Sequence, residues 1–178
     1  LIIGLGLIGG SVAKRLSKKR FEVLAIDKNK SHLNYAKKTK VIFGSSEKID
    51  SAKKLFVIVA LPPKILLSNF DKYLDFFHKA DFITDCTSVK VSLLNKIRKN
   101  KLESKFILSH PIAGSEKSGF LNSNEDLFRD KISIISKHKG LAIPTLQKCE
   151  ELWFELGSKT HNLDPKLHDK IFSLTSHL

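Results

Sequence analysis

The segment His110-Pro111-Ile112-Ala113-Gly114-Ser115-Glu116-Lys117-Ser118-Gly119 places an imidazole, a carboxylate, an ammonium, two hydroxyls and two glycines in ten consecutive residues. A histidine titrates near pH ~6.5 when unperturbed, so His110 is suited to act as a general base toward a bound substrate at neutral pH. Ser115, Glu116 and Lys117 offer polar contacts to an anionic ligand, while Pro111 and Gly114 restrict and shape the turn. A second polar run, Asp85-Cys86-Thr87-Ser88-Val89-Lys90, supports two compatible roles. Thr87 or Ser88 can cap a following helix, and Ser88 can reach a ligand or the histidine. Cys86 becomes a nucleophile only with a histidine partner, which its spacing does not assign. It and Cys149 form no CxxC or Cys/His cluster, so both read as buried free thiols and no metal site is expected.

A third candidate binds rather than reacts. Gly4-Leu5-Gly6-Leu7-Ile8-Gly9 is a G-x-G-x-x-G sequence that follows an apolar run and opens a helical pattern. Gly4 allows a tight turn, Gly6 lets backbone approach a pyrophosphate, and Gly9 lets helix and strand pack closely. The anion then meets free N–H groups around Leu7 and Ile8 at the positive end of the helix dipole. Asp27 ends the next apolar run at a spacing suited to the adenosine ribose hydroxyls. Its charge repels a 2′-phosphate, so NAD is expected over NADP. Leu61 and Pro62, after a later apolar run, are expected to lie over the cofactor.

These residues need a frame, and the apolar pattern predicts one. Leu1–Ile3, Phe21–Ile26, Leu55–Ala60, Phe82–Thr84, Phe106–Leu108 and Ile132–Ile135 read as strands, several apolar throughout as doubly buried parallel strands are. Ile8–Lys19, Ser31–Lys38, Pro62–His78 and Val91–Asn100 read as the helices between them, followed by a helix over Ile143–Leu156 and a short strand over Lys159–Asn162. Strict alternation predicts an α/β fold, Rossmann-like, with a doubly wound, mostly parallel sheet. Each polar segment then falls at the carboxyl edge of the sheet, where such folds bind ligands. Asp164-Pro165 supplies a further helix start, and Leu167, Ile171, Leu174 and Leu178 continue one apolar face to the last residue. Residues 1–163 are expected to form the nucleotide-binding domain and 164–178 the start of a helical domain. The chain opens inside a strand, lacks methionine and stops within a helical pattern, so it reads as a portion of a larger polypeptide.

The net charge is +13, but the excess is scattered lysine without interleaved aromatics, which argues against a nucleic-acid face. No apolar run reaches membrane-spanning length and no signal-peptide pattern opens the chain, so a cytoplasmic location without membrane attachment is expected.

Taken together, "GLGLIGGS", "SVK" after a strand-end Asp, "HPIAGSEKSG" and "LHDKIFSLTSHL" resemble the nucleotide-binding portion of the prephenate dehydrogenase (TyrA) family, in order along residues 1–178. The histidine segment is the specific part of that resemblance; the glycine motif is not. The resemblance implies NAD-dependent oxidative decarboxylation of prephenate to 4-hydroxyphenylpyruvate in tyrosine biosynthesis. By it, His110 accepts the ring hydroxyl proton, Ser88 orients His110 and the nicotinamide side of the substrate, and Glu116 gates or polarises the pocket. Ser115, Lys117, Ser176 and His177 are implied on the substrate side, with a lesser claim for His168. In the family a helical dimerisation domain follows and adds a histidine and an arginine to the substrate site, which implies a homodimer. Cys86-Thr87 departs from the small residues or glycine that the family more often carries there. Two alternatives stand beside this reading: an arogenate dehydrogenase, and a non-catalytic NAD-binding, redox-sensing module.

Overall fold

A computed structural model describes residues 1–50, 53–114 and 116–175. In it the apolar runs become β1 (Ile2–Ile3), β2 (Ala25–Ile26), β3 (Phe56–Val59), β4 (Phe82–Asp85), β5 (Phe106–Pro111), β6 (Ile132–Ser136) and β7 (Lys159–Asn162). They join in a single sheet of order β2-β1-β3-β4-β5-β6-β7. All pairs are parallel except β5–β6, which is antiparallel. This is the mostly parallel, doubly wound sheet that the strand and helix alternation predicts.

Alternate residues of each strand feed opposite faces. Ile2 and Ile58 pack with Val12, Ala13 and Leu16 of α1 (Leu7–Lys18), Ala36 of α2 (Lys30–Lys38) and Trp153 of α6 (Ile143–Glu155). Ile3, Val57 and Val59 face the other way, onto Leu66 of α3 (Pro63–Asn69), Phe77 of α4 (Leu74–Lys79) and Leu93 and Ile97 of α5 (Val91–Lys99). A last helix, α7 (Pro165–Thr175), packs on α5. No helix among the described residues is long and apolar enough to cross a membrane.

Three expected elements differ. The single helix over Pro62–His78 breaks into α3, a 3-10 turn at Phe70–Tyr73 and α4. Ser68 Oγ and Asn69 Nδ2 donate back to the Lys64 and Ile65 carbonyls, the competition with the helix ladder that such side chains offer. The turn also lets Phe70 and Phe77 both reach the core, with ring centroids 5.1 Å apart. The strand over Phe21–Ile26 shortens to Ala25–Ile26; on its outer side this edge segment meets only a short stretch among the described residues, where Phe43 N donates to the Val23 carbonyl and Gly44 forms an isolated bridge with Leu24. β5 runs three residues beyond Leu108, since β6 pairs with it from Leu108 to Pro111 after β4 has ended. His110 is therefore a strand residue, opposite Ile134, and not part of the loop.

The chain leaves β1 for β2 on one side of the sheet and later returns to β3 on the other. The crevice between the carboxyl ends of β1 and β3 is thus the switch point at which ligands bind in such sheets.

Candidate functional site

At that crevice the glycine turn divides its labour by position. Gly4 has φ +97°, a left-handed conformation that favours glycine, and a Cβ there would lie 2.6 Å from the Ala60 carbonyl oxygen. A Cβ on Gly9 would overlap the Gly4 carbonyl oxygen, so helix α1 sits directly on the turn. At Gly6 a Cβ would meet nothing within 4 Å. Gly6 also caps α1 without any side-chain hydrogen bond, and the first turn carries no acidic residue. Bare glycine backbone facing open space at an uncapped helix N-terminus fits a bound pyrophosphate. Asp27 is held beside it, accepting from Leu5 N at 2.5 Å through Oδ2 and from Asn29 N at 2.7 Å through Oδ1. Each oxygen keeps a lone pair for a ribose hydroxyl. Leu61 flanks the same turn, its Cδ2 3.0 Å from where a Gly4 Cβ would stand, and Pro62 is exposed next to it.

The histidine segment connects this turn to the chemistry. It leaves β5 at Pro111 and arrives at Gly119, where a Cβ would be 3.7 Å from the ring of His32 in α2. Beyond it, Phe120 and Ser123 press on α1 so closely that a Cβ on Gly10 would fall 2.8 Å from each. Asn124 N donates to Ser11 Oγ and Lys14 Nζ to the Ser123 carbonyl, which pins the far end to α1. The segment that begins at the histidine is therefore pinned at its far end to the helix that the glycine turn opens.

At the other end, a buried ion pair holds the base in place. Asp85 and Lys90 are both fully buried and 2.6 Å apart. Such a pair is tolerated only when its remaining hydrogen-bonding capacity is met. Here Asp85 Oδ2 also accepts from Thr87 N and Thr87 Oγ, Oδ1 accepts from Ser109 N, and Lys90 Nζ donates to the Ser109 carbonyl at 2.7 Å. The next residue along β5 is His110. Its Nδ1 lies 2.9 Å from His168 Nε2, and His168 Nδ1 lies 2.9 Å from Asp169 Oδ1. Asp169 in turn accepts from Lys90 N and Val91 N, capping α5. Burial, the Lys90 charge and His168 push the pKa of His110 down to about 3, so the ring is neutral at physiological pH. Among the described residues its Nε2 has no hydrogen-bond partner, which leaves one ring nitrogen for a ligand.

The expected residues are only partly brought together. The contact expected from Ser88 to His110 is made by His168; Ser88 is exposed at the head of α5. Neither Thr87 nor Ser88 caps α5, because Asp169 does so from another element. Glu116 and Lys117 are exposed, and Ser115, Ser176 and His177 lie outside the described residues. Burial, with the Asp85 charge adding to it, pushes the Cys86 thiol far up, and burial pushes Cys149 up to about 12, so neither is a thiolate nucleophile. Among the described residues no group of His, Cys, Asp and Glu is arranged to hold a metal. Sequence reasoning missed Lys90 and Asp169 and underweighted His168. The adjacent His-Asp pair opening an amphipathic helix was the available signal.

Residues 12–162 match the family described as "Prephenate dehydrogenase, nucleotide-binding domain". The chain is 33% identical to a prephenate dehydrogenase of Lactococcus lactis, over 99% of the chain and 49% of that protein. It is 26% identical to a cyclohexadienyl dehydrogenase of Zymomonas mobilis, over 99% of the chain and 62% of that protein. A crystal structure of prephenate dehydrogenase from Aquifex aeolicus in complex with hydroxyphenyl propionate and NAD+ superposes with a TM-score of 0.84 at 28% identity, covering 99% of the chain and 63% of that chain. The chain thus spans about half to two thirds of the relatives it matches.

Proposed function

Because the chain belongs to the family of prephenate dehydrogenase nucleotide-binding domains, we propose that it is the cofactor-binding part of an enzyme that oxidatively decarboxylates prephenate with NAD. The observation that carries this reading is a neutral imidazole, His110, whose Nε2 has no partner among the described residues, joined by one segment of chain to an uncapped, glycine-bare helix N-terminus. NAD, when bound, would supply the hydride acceptor for oxidation at the ring carbon bearing the hydroxyl, with loss of CO2 giving 4-hydroxyphenylpyruvate. Gly4, Gly6, Leu7, Ile8 and Gly9 would hold the pyrophosphate through backbone, Leu61 and Pro62 would flank it, and Asp27 would favour NAD by repelling a 2′-phosphate. His110 Nε2 receives the hydroxyl proton, a role that contributes ~10²–10⁴-fold in such catalysts. A base as weak as free His110 gains strength when an anionic substrate lies beside it, because the negative charge favours the imidazolium.

Ser88 is assigned to the nicotinamide side of the substrate, and Glu116 to gating or polarising the pocket. Ser115, Lys117, Ser176 and His177 complete the substrate side. Residues 164–178 begin a helical dimerisation domain, and the enzyme works as a cytoplasmic homodimer. Steady-state assays of the full-length protein with NAD test this. Prephenate is expected as the better substrate, and His110→Asn is expected to lower kcat by at least ~10²-fold while NAD still binds. Higher kcat/KM on arogenate would overturn the substrate assignment, and near-normal activity of His110→Asn would overturn the catalytic one.

A further inference from the structure

We propose that His168 and Asp169 act as a positioning pair that fixes the tautomer of His110, so that its unprotonated Nε2 is the nitrogen presented to substrate. The inference rests on the proposed dehydrogenase reading for its catalytic meaning, but the tautomer itself follows from the hydrogen bonds.

The assignment runs inward from Asp169. Burial pulls its carboxyl up, yet hydrogen bonds from Val91 N, His168 and Lys90 N together outweigh that and hold it below its ordinary value. An ionised carboxylate only accepts. His168 Nδ1, 2.9 Å from Oδ1, must therefore carry the proton of that bond. His168 is completely buried, and burial keeps it neutral in spite of Asp169. A neutral imidazole has one donor and one acceptor, so its Nε2 accepts. The atom facing that Nε2 is Nδ1 of His110, which is consequently the protonated nitrogen. His110 is neutral too, and its lone pair falls on Nε2, the nitrogen without a partner among the described residues.

The surrounding charges agree with this. Lys90 before α5, hydrogen-bonded to Asp85 of β4, disfavours a second proton on His110, and among the described residues Asp169 of α7 is the charge that favours it. Phe172 packs against both rings, with centroids 4.9 Å from His110 and 4.6 Å from His168, which limits rotation of either. Being buried, His168 cannot touch substrate; it acts through His110. The base sits on β5 while the pair that sets it sits on α7, so the base is made competent only when α7 is docked on α5 and β5.

The test is histidine nitrogen NMR on the full-length protein, combined with kinetics of His168→Leu, His168→Gln and Asp169→Asn. Wild-type His110 is expected to carry its proton on Nδ1. His168→Leu removes the acceptor and is expected to lower kcat on the order of 10²-fold with KM within about twofold, as misorientation of a reacting group does. His168→Gln retains an acceptor and a donor and is expected to recover about tenfold of that loss, which a purely structural role does not predict. Should His168→Leu fail to fold, the wild-type tautomer and Asp169→Asn, expected to mix the two tautomers of His110, still decide the matter. A wild-type His110 protonated on Nε2 overturns the inference, as does a folded His168→Leu with kcat within about twofold of wild type. An Nδ1-protonated His110 in a protein without prephenate oxidation supports the pair and overturns the proposed reaction instead.

Discussion

Gly6 and Gly9 stand three residues apart in one motif, yet adding a methyl group to each should do opposite things. A Cβ on Gly9 would overlap the Gly4 carbonyl oxygen and stand 3.1 Å from Ala60 Cβ. Neither obstacle is a flexible side-chain tip: one is backbone and the other a β-carbon on the neighbouring strand's turn. Helix α1 must back away from β1 and β3, loosening contacts of Val12, Ala13 and Leu16 with the core. Overpacking of this kind costs typically ~1–3 kcal/mol and, against rigid backbone, about the upper end or more. Gly6→Ala meets nothing within 4 Å and replaces a residue whose φ of −79° alanine also adopts. Its effect on folding should stay within about 0.5 kcal/mol, the small helix-cap loss opposing the entropy lost by the unfolded chain. The methyl group would, however, occupy the space in which a pyrophosphate approaches. Thermal melts and NAD titration of both variants separate the two effects. The expected pattern is a large fall in Tm for Gly9→Ala, and for Gly6→Ala an unchanged Tm with NAD affinity at least about tenfold weaker, about 1.4 kcal/mol. A folded Gly6→Ala that binds NAD as well as wild type would refute the cofactor placement, whatever Gly9→Ala does.

Two further perturbations probe the base. Lys90→Met strands the buried Asp85 carboxylate and should cost about 3–5 kcal/mol in urea unfolding, with part of it regained in Asp85→Asn/Lys90→Met; a loss under about 1 kcal/mol would mean the pair is not dry. His110 and His168 both have pKa values depressed on folding, so above pH ~6.5 they are neutral in both states and contribute no pH dependence. Below it the unfolded imidazoles take up protons that the folded ones refuse, and stability falls as pH drops below ~6.5, for His110 down to about 3, by at most ~1.4 kcal/mol per unit for each and less for the part-exposed, screened His110. Asp169, also depressed, adds its loss only below the unfolded carboxylate value of ~3.9. Urea midpoints at pH 7.5, 6 and 5 in wild type and His110→Asn check this; a variant that is as acid-sensitive as wild type over that window would exclude His110 as a source.

The parts legible in the sequence share one property: their physics is local. A glycine turn is six residues long, and continuous apolar runs report burial on both faces without reference to partners. The break at Ser68-Asn69 was legible in principle, since both residues compete for helix carbonyls, but a continuous apolar pattern outweighed them. The reach of β5 to Pro111 was not, because it depends on the antiparallel partner β6, whose pairing no periodicity announces. The supports of the base lie further off still, His168 58 residues from His110 and Asp169 79 residues from Lys90. Lys90 shows why distance matters: in the sequence it is one more lysine in a chain of net charge +13, and in the fold it is a dry ammonium that adds to burial in keeping its neighbour unprotonated. A motif can therefore name the residue that receives the proton. Whether that residue is free to receive it at a given pH, and through which nitrogen, is decided by a lysine and a helix that the motif does not contain.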